Sequence, residues 1–298
     1  MAKQKFGGDW TEDKLSRIKE YLQAYNTALK NQRFSREYID AFAGTGYREV
    51  GSEEGTDDAF LFPELAEPEV RRFLDGSAKI ALNVEPGFSR FTFIEKNPNK
   101  VKDLLRLADE FPGKDIRIEQ GDANTWVQSI CDEPWDYLRA VLFLDPCGMQ
   151  ISWQTLEAVA GTKCIDTWIL FPLCVGITRL LSKNEIPDES SCKPLDFLFG
   201  DRSWLDAFYR QPASASRTQR NFLDEPEEKT GTVQRIGLSA IEEYYRARLR
   251  TIFAGVANNT VRLKNSKNVP MDLLFFVAGN AKGAPIAVKI AESIMSRD

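Results

Sequence analysis

Four short polar or glycine-rich segments each follow a stretch that has the pattern of a buried β-strand. They are DAFAGTG at 40–46, EK at 95–96, GDA at 121–123 and DPCG at 145–148. In an open α/β sheet, ligands bind outside the carboxyl ends of the strands. The four segments are therefore expected to meet at one edge of a sheet and to form one cleft.

The residue types in this cleft suit a ligand that carries a ribose and a base. Glycines and small residues after the first strand let the backbone turn tightly and approach a ligand. Glu95 can hold a ribose diol, and Asp122 beside the small Ala123 suits an adenine amine. Each acid also has a structural explanation: a turn or cap for Asp40, a solvated strand end for Glu95, an Asx turn or helix N-cap for Asp122. The four segments follow four consecutive strands in order along the chain, which favours a binding role for these acids over the structural explanations.

The chain has 298 residues, a net charge of −5 and no histidine. Without histidine, Ser-His-Asp and Cys-His nucleophile systems and histidine-ligated metal sites are excluded. The five cysteines form no CxxC pair, which argues against a zinc site and a disulfide framework. Any chemistry must use carboxylates, lysine, tyrosine, cysteine, backbone dipoles or a cofactor.

Strands alternate with helices along much of the chain, which predicts a doubly wound, mostly parallel sheet. An amphipathic helix over 10–33, with Thr11 as its N-cap, is expected before the first strand. The predicted strands are 38–42, 90–95, 115–120, 139–145 and 167–172, with helices over 99–110, 124–131, 153–161 and 238–252. Segments 260–264 and 271–278 are predicted to form a terminal hairpin.

This pattern divides the chain into four predicted regions. They are an N-terminal helical segment (1–36), a Rossmann-like core (37–177) with an acidic insertion at 51–85 whose helix starts near Ser77, a helical insertion or lid (178–235), and a C-terminal helix and hairpin that complete the core (236–298). The N-terminus lacks an apolar signal region, and the longest nearly apolar run, 167–177, is too short to span a bilayer. A cytoplasmic protein with no membrane contact is the expectation.

The series DAFAGTG, FIEKN, GDAN and LDPCG resembles the motifs of class I methyltransferases that use S-adenosylmethionine. The opening W…KL..I..YL..Y, YIDAFAGTG, the stretch at 76–82, FIEKNP, FLDPCG and FG…W…FY at 199–209 resemble the three-Cys-motif partner protein (TcmP) family. This resemblance runs from Trp10 to about Ala278. It implies a Rossmann-like class I methyltransferase fold with an antiparallel terminal hairpin and a helical insertion. It also implies a partner protein that carries a three-cysteine motif.

The resemblance also implies roles for individual residues toward S-adenosylmethionine. The implied cofactor-binding residues are Asp40, Phe42, Gly44 and Gly46 at the methionine part, Glu95 and Lys96 at the ribose, and Asp122 and Ala123 at the adenine. Asp145 and Pro146 are implied to lie beside the transferred methyl group as catalytic residues, and Cys147, Gly148 and Trp153 to face the substrate. The sequence departs from the family at Thr45, where the family often has proline.

The fourth motif bears on the methyl acceptor. Methyltransferases that act on adenine or cytosine amines typically end this strand with [D/N]PP[Y/F], whose aromatic residue stacks on the flipped base. Here Asp145 and Pro146 remain, the second proline and the aromatic residue are absent, and Trp153 is near enough in sequence to substitute. A nucleic acid or nucleobase is the weakly preferred acceptor. A rival mechanism has Cys147, with Cys174, acting as a thiolate on cytosine carbon 5; alternatively both are ordinary small buried residues.

Seven basic and two acidic residues between 235 and 267 allow two interpretations. They could track phosphates over the cleft, or they could be ordinary helix-end and surface charges. Two further functions remain open. One is a non-catalytic subunit that docks the three-cysteine partner, and the other is a nucleotide-dependent oxidoreductase, which is disfavoured because GTG lacks the G-x-G-x-x-G spacing.

Overall fold

The computed structural model describes residues 9–45, 47–49, 73–210, 234–264 and 269–297. Within these ranges, no helix combines the length and the apolar character that crossing a membrane requires. The strands are β1 (Ser35–Asp40), β2 (Tyr47–Glu49), β3 (Phe73–Asp75), β4 (Arg90–Glu95), β5 (Ile116–Gln120), β6 (Leu138–Leu144), β7 (Ile165–Phe171), β8 (Tyr209–Arg210), β9 (Gln234–Arg235), β10 (Gly255–Val256), β11 (Val261–Lys264) and β12 (Pro270–Ala278).

A central sheet of eight strands has the order β10-β12-β7-β6-β1-β4-β5, with β11 also paired to β12. Strands β1, β4, β5, β6 and β7 are parallel to one another. Strand β12 is antiparallel to β7, and β10 and β11 are antiparallel to β12. The predicted mostly parallel sheet and its antiparallel terminal hairpin are confirmed. Counted along the chain, the five parallel strands have the order 3-2-1-4-5, which is that of a doubly wound, Rossmann-like sheet.

Two layers of helices cover the sheet. The helices are α1 (Asp9–Leu29), α2 (Ser77–Leu82), α3 (Pro98–Asp109), α4 (Ala123–Cys131), α5 (Trp153–Thr162), α6 (Thr178–Leu180), α7 (Glu189–Phe199), α8 (Ser203–Phe208), α9 (Leu238–Ile252) and α10 (Ala284–Met295), with a π-helical turn at Leu173–Ile177. One core cluster joins the sheet to α1, α2, α3 and α10, and the other joins it to α4, α5, α7, α8 and α9.

Strand β6 shows why the sheet lies between two apolar layers. Its residues Val141 and Phe143 belong to the cluster with α1, whereas Leu142 and Leu144 belong to the cluster with α5. Successive side chains of a strand point to opposite faces, so an unbroken apolar run serves a strand that is buried on both sides.

The predicted bounds of the first helix and the first strand are wrong at both ends. Helix α1 ends at Leu29 and not at 33, and strand β1 begins at Ser35 and not at Tyr38. Helix α1 begins at Asp9, so Thr11 lies inside the helix and is not its N-cap. Strand β1 ends at Asp40 and not at Phe42. The chain turns there because the Asp40 carboxyl accepts the Phe42 N–H, at 3.2 Å.

Several elements had no counterpart in the sequence analysis. They are the small β2–β3 and β8–β9 pairs, β10 and α10. In the predicted helical insertion the structure shows α6, α7 and α8, and 211–233 lie outside the described residues. In the predicted acidic insertion, 50–72 also lie outside them, and α2 begins at Ser77 as expected.

Candidate functional site

The carboxyl ends of β1, β4, β5 and β6 lie side by side at one edge of the sheet. Asp40 of β1 stands opposite Phe93 of β4 on one side and Phe143 of β6 on the other. Glu95 of β4 stands opposite Gln120 of β5. The four segments singled out in the sequence therefore share this edge, which we call the carboxyl edge. Gly46 lies outside the described residues.

Asp40 is fully buried at the start of the first loop. Its Oδ1 accepts the Phe42 N–H, the Tyr38 hydroxyl donates to its Oδ2 at 3.4 Å, and the Ser77 side chain forms a further hydrogen bond. Burial raises the pKa of Asp40 to about 7, although the hydrogen bonds from Ser77 and Phe42 oppose the shift. Through Phe42 and Ser77, the Asp40 carboxyl thus connects the loop after β1 to the start of α2.

Glu95 joins the first loop to the second. Its Oε2 accepts the Gly44 N–H at 3.0 Å, and its Oε1 accepts the Asn97 N–H at 2.7 Å. Gly44 has φ +62°, a backbone conformation that favours glycine, and a Cβ there would meet no atom of the described residues within 4 Å. The loop therefore leaves open space beside a carboxylate whose oxygens each have further lone pairs.

Asp122 caps a helix at the end of the third strand. Its Oδ1 accepts the N–H groups of Asn124 at 3.0 Å and Thr125 at 3.2 Å, at the N-terminus of α4. The structural alternative for Asp122 is therefore realised, and both hydrogen bonds end on one carboxylate oxygen. The preceding Gly121 has φ +156°, and a Cβ there would lie 2.6 Å from Nε1 of Trp126. Ala123 is buried.

Asn124 ties the third loop to the fourth, although sequence reasoning gave it no role. Its Nδ2 donates to the Gln150 carbonyl at 2.7 Å, and its Oδ1 accepts the Ser152 N–H at 2.9 Å and the Thr155 hydroxyl at 2.8 Å. Gln150 in turn donates to the Cys147 carbonyl at 2.9 Å. This network holds the segment after β6 against the start of α4. In the sequence, this residue was visible only as the asparagine at the end of the GDAN motif.

Asp145, at the end of β6, forms an ion pair that the sequence did not reveal. The Lys14 ammonium of α1 lies 2.5 Å from Oδ2 of Asp145, across 131 residues of sequence. Lys14 is only 3% exposed. A third titratable group, Asp272 of β12, interacts electrostatically with both members of this pair. Burial raises the pKa of Asp272 to about 6, the positive charge of Lys14 opposes this shift, and the negative charge of Asp145 adds to it.

The remaining predicted residues around β6 differ in character. Pro146 is buried, and Gly148 has φ +82°, where a Cβ would meet none of the described residues within 4 Å. Cys147 is exposed and is therefore not the small buried residue that one alternative assumed. Desolvation nevertheless raises the pKa of the Cys147 thiol, and Asp145 raises it further. The pKa of Cys174 is also raised by burial. Both cysteines are therefore protonated at neutral pH, which disfavours the thiolate mechanism.

Trp153 packs inside the protein at the start of α5. Its Nε1 donates to Glu157 at 2.9 Å, and a Cβ on Gly200 would lie 2.3 Å from its ring. The guanidinium of Arg248 lies 4.7 Å from the ring centroid on another side. With its ring in these contacts, Trp153 has no face open for stacking on a base. Phe42 packs partly against the same core cluster, and Lys96 is exposed.

The arginines of the predicted basic region are engaged within the protein. Each of the following guanidinium groups contacts a carboxylate: Arg246 with Glu242 at 2.9 Å, Arg248 with Asp201 at 2.9 Å, Arg250 with Glu243 at 3.3 Å and Arg262 with Glu242 at 2.9 Å. Arg202 contacts Glu189 at 2.8 Å and Asp196 at 2.6 Å. The interpretation as ordinary paired surface charges fits these contacts better than a surface that tracks phosphates.

No group of three His, Cys, Asp or Glu side chains that could hold a metal ion occurs among the described residues. The described residues of the carboxyl edge offer carboxylates, backbone N–H groups and two lysines, Lys14 and Lys96. These groups can bind a polar organic ligand and accept hydrogen bonds from it.

No protein-family model matches the chain, and no curated protein matches it in sequence. The structure of protein LPL1258 from Legionella pneumophila is similar, with a TM-score of 0.51 at 13% identity over 94% of this chain and 90% of that one. The N-terminal domain of EvdMO1, solved with SAH bound, gives 0.40 at 10% identity over 87% and 80%. An S-adenosylmethionine-dependent methyltransferase from Clostridium acetobutylicum gives 0.38 at 12% over 90% and 96%. The first likeness shows a shared fold.

Proposed function

We propose that this protein is an S-adenosylmethionine-dependent methyltransferase that binds its cofactor along the carboxyl edge. The observation that carries the proposal is the 3.0 Å hydrogen bond from the Gly44 N–H to the Glu95 carboxylate. It brings the glycine loop after β1 and the acid after β4 together, at the edge where ligands bind in this class of sheet.

The residues at this edge fit the groups of the cofactor. Gly44 leaves open space for the methionine part. Each oxygen of Glu95 accepts one backbone N–H and has a lone pair left for a ribose hydroxyl. Asp122 uses Oδ1 for the helix cap, so Oδ2 is the atom for the adenine amine. In our proposal, the methionine part lies near Phe42, the ribose near Lys96 and the adenine near Ala123.

The cofactor supplies a methyl group that its sulfonium has already activated for attack by a nucleophile. The chain must then align the acceptor with that methyl group and keep water out. Asp145 and the carbonyl of Pro146 accept hydrogen bonds from the acceptor N–H in this proposal. Such alignment needs no histidine, in keeping with the composition.

The acceptor and the family are finer parts of the proposal, and both rest on sequence motifs. Asp145 followed by Pro146 supports a nucleobase amine, free or in a nucleic acid. The packing of Trp153 means that another residue would have to stack on such a base. Membership of the TcmP family, and with it a three-cysteine-motif partner, rests on the motif series from Trp10 to Ala278.

One observation favours a second candidate, a non-catalytic cofactor-binding subunit that docks the three-cysteine partner. Asp145 is already paired with Lys14, so its carboxylate is partly satisfied without an acceptor. Transfer of a radiolabelled methyl group to nucleic acid, with the partner present and absent, separates the two candidates. Incorporation of label supports the enzyme, and cofactor binding without incorporation in either mixture supports the subunit.

Calorimetric titration with S-adenosylmethionine and S-adenosylhomocysteine tests cofactor binding. We expect saturable binding of micromolar affinity, about −8 kcal/mol. Glu95→Ala should weaken it by about tenfold to a hundredfold, because hydrogen bonds to a charged group are lost. The matched control is Glu185→Ala, which removes an exposed carboxylate between α6 and α7. Absence of binding by the folded wild type, or equal affinities of the wild type and Glu95→Ala, contradicts the proposal.

A further inference from the structure

Lys14 lies in α1, which the sequence analysis assigned to a segment before the Rossmann-like core. Its side chain is nevertheless buried, and its ammonium contacts Asp145 at the carboxyl end of β6. Burying a lysine is costly unless its charge is compensated. The structure supplies compensation through Oδ2 of Asp145 at 2.5 Å, and the Lys14 ammonium also lies 5.8 Å from the ring centroid of Phe143.

The position of this pair links it to the proposed site. Asp145 is two residues beyond Phe143, which pairs with Asp40 across β6 and β1. Asp40 and Asp145 are close enough that each charge acts on the other. Lys14 thus brings a positive charge from α1 to the place where the first and fourth loops meet. Asp272 adds a second carboxylate from β12 to the surroundings of Lys14.

We propose that Lys14 is a positioning residue of the methyl-transfer site, which holds the Asp145 carboxylate by Oδ2 and balances its charge beside the cofactor's sulfonium. The inference rests on the proposed function and deepens it. Oδ1 of Asp145 is then the oxygen turned to the acceptor N–H. Within the pair, the Lys14 ammonium and the Asp145 carboxylate cancel each other's charge, and Asp272 lies in the same surroundings as a further carboxyl group.

This balance predicts how the site distinguishes the two forms of the cofactor. S-adenosylmethionine carries the positive sulfonium, and S-adenosylhomocysteine has a neutral thioether in its place. Lys14→Met leaves the Asp145 carboxylate uncompensated, so we expect the affinity ratio to shift toward S-adenosylmethionine by about tenfold. Asp145→Asn removes one negative charge while the Lys14 ammonium stays beside Asp272, and we expect a shift of similar size, again about tenfold, in the opposite direction.

The double variant Lys14→Met/Asp145→Asn removes both charges. We expect its affinity ratio to return to within about threefold of the wild-type ratio. A purely structural role would weaken the binding of both compounds alike and would not be repaired by the second substitution. Lys14→Arg keeps the positive charge and should keep the wild-type ratio.

The experiment is calorimetric titration of each variant with both compounds at pH 8, after thermal unfolding has shown that the variant is folded. The matched control is Lys19→Met, which removes an exposed lysine from the same helix and should leave the ratio unchanged. If Lys14→Met is unstable, the shift of the ratio in Asp145→Asn and its reversal in the double variant carry the test. Binding of both compounds with a ratio that the charge-changing variants leave unchanged overturns this inference alone. Failure of the wild type to bind either compound overturns the proposed function, and this inference with it.

Discussion

The carboxyl edge of the sheet and the layer formed by α7, α8 and α9 are both rich in charged side chains, but they use them differently. At the edge, Glu95 and Asp122 accept backbone N–H groups and have further lone pairs, and among the described residues Gly44, which contacts Glu95, has open space beside it. In the layer, arginines and carboxylates satisfy one another. Arg202 contacts two carboxylates, and Glu242 contacts two arginines.

The difference shows where the molecule can still bind a ligand. Polar groups whose partners lie within the protein stabilise the fold, whereas groups with lone pairs and space beside them can accept a ligand as well. A run of basic residues in a sequence therefore says little about phosphate binding until the carboxylates that face it are known. The five predictions below test this comparison, from the largest expected effect to the smallest.

Glu242→Ala should be strongly destabilising in the helical layer. Glu242 accepts hydrogen bonds from Arg246, Arg262 and Thr260, and burial raises its pKa less than these hydrogen bonds lower it. Its removal leaves the buried Arg246 without one of its partners, and we expect a loss of about 4 kcal/mol in the free energy of unfolding. Urea denaturation measures it, with Glu185→Ala as the control. A loss below about 1 kcal/mol would show that this network is not integral to the layer.

Gly200→Ala should destabilise the same layer through steric overlap. Gly200 has φ +89°, and its Cβ would lie 2.3 Å from the Trp153 ring. We expect a loss of about 3 kcal/mol, from overpacking together with backbone strain. Gly148→Ala, at φ +82° with open space, is the matched control and should lose only about 1 kcal/mol. Equal losses in the two variants would contradict the close packing of Trp153.

The two regions should respond to pH with opposite signs. Asp40 at the edge has a pKa of about 7 because it is buried, so the folded protein keeps a proton that the unfolded chain loses above about pH 4. Its contribution to stability is therefore full below about pH 4 and falls as pH rises to about 7, by up to ~1.4 kcal/mol per pH unit. In the layer, desolvation of Asp196 is outweighed by hydrogen bonds from Arg202 and Trp204, which lower its pKa. Its contribution is present above pH 4 and is lost in acid.

Urea denaturation between pH 3 and 8 measures both contributions. Relative to wild type, Asp40→Asn should reduce the fall in stability between about pH 4 and 7. Part of the fall should persist, because burial also raises the pKa of Asp166 and of Asp272 to about 6. Asp196→Asn should lose stability at neutral pH and approach the wild type in acid. Asp109→Asn removes an exposed acid and should follow the wild-type profile. Parallel profiles for Asp40→Asn and the wild type would contradict the buried, proton-retaining Asp40.

Gly44→Ala should affect ligand binding more than stability. The left-handed backbone at Gly44 costs alanine about 1 kcal/mol. Its methyl group would project into the open space that we assign to the cofactor, so affinity for S-adenosylmethionine should fall by more than the fivefold that this strain alone could explain, to about a tenth or less. Gly113→Ala, which meets no atom within 4 Å and has no positive φ, is the control. Unchanged affinity in Gly44→Ala places the ligand elsewhere.

Cys147→Ala should have the smallest effect. Desolvation and the Asp145 carboxylate raise the pKa of the Cys147 thiol, which disfavours its thiolate form at neutral pH. We expect a change in stability below about 0.5 kcal/mol and unchanged affinity for S-adenosylmethionine. Methyl transfer, once an acceptor is known, should also persist. Abolition of transfer with cofactor binding intact would restore the thiolate mechanism.

The sequence by itself determined the elements that rest on local pattern. The bounds of β4 and α9 agree with the prediction residue for residue, because each has continuous periodicity and a clear end. The parallel sheet followed from alternating strands and helices, and the segments at the carboxyl edge followed from the sheet. The amphipathic α10 was overlooked, although its pattern was present in the sequence.

Only the tertiary structure decided which side chains meet. Lys14 and Asp145 lie 131 residues apart, and their pairing depends on how α1 packs against the sheet. The contact of the buried Trp153 ring with Gly200 likewise depends on tertiary packing. So do the ion pairs between arginines and carboxylates in the helical layer. Helix and strand patterns arise from neighbours along the chain, whereas such contacts depend on strand order and layer packing, which no local stretch of sequence encodes.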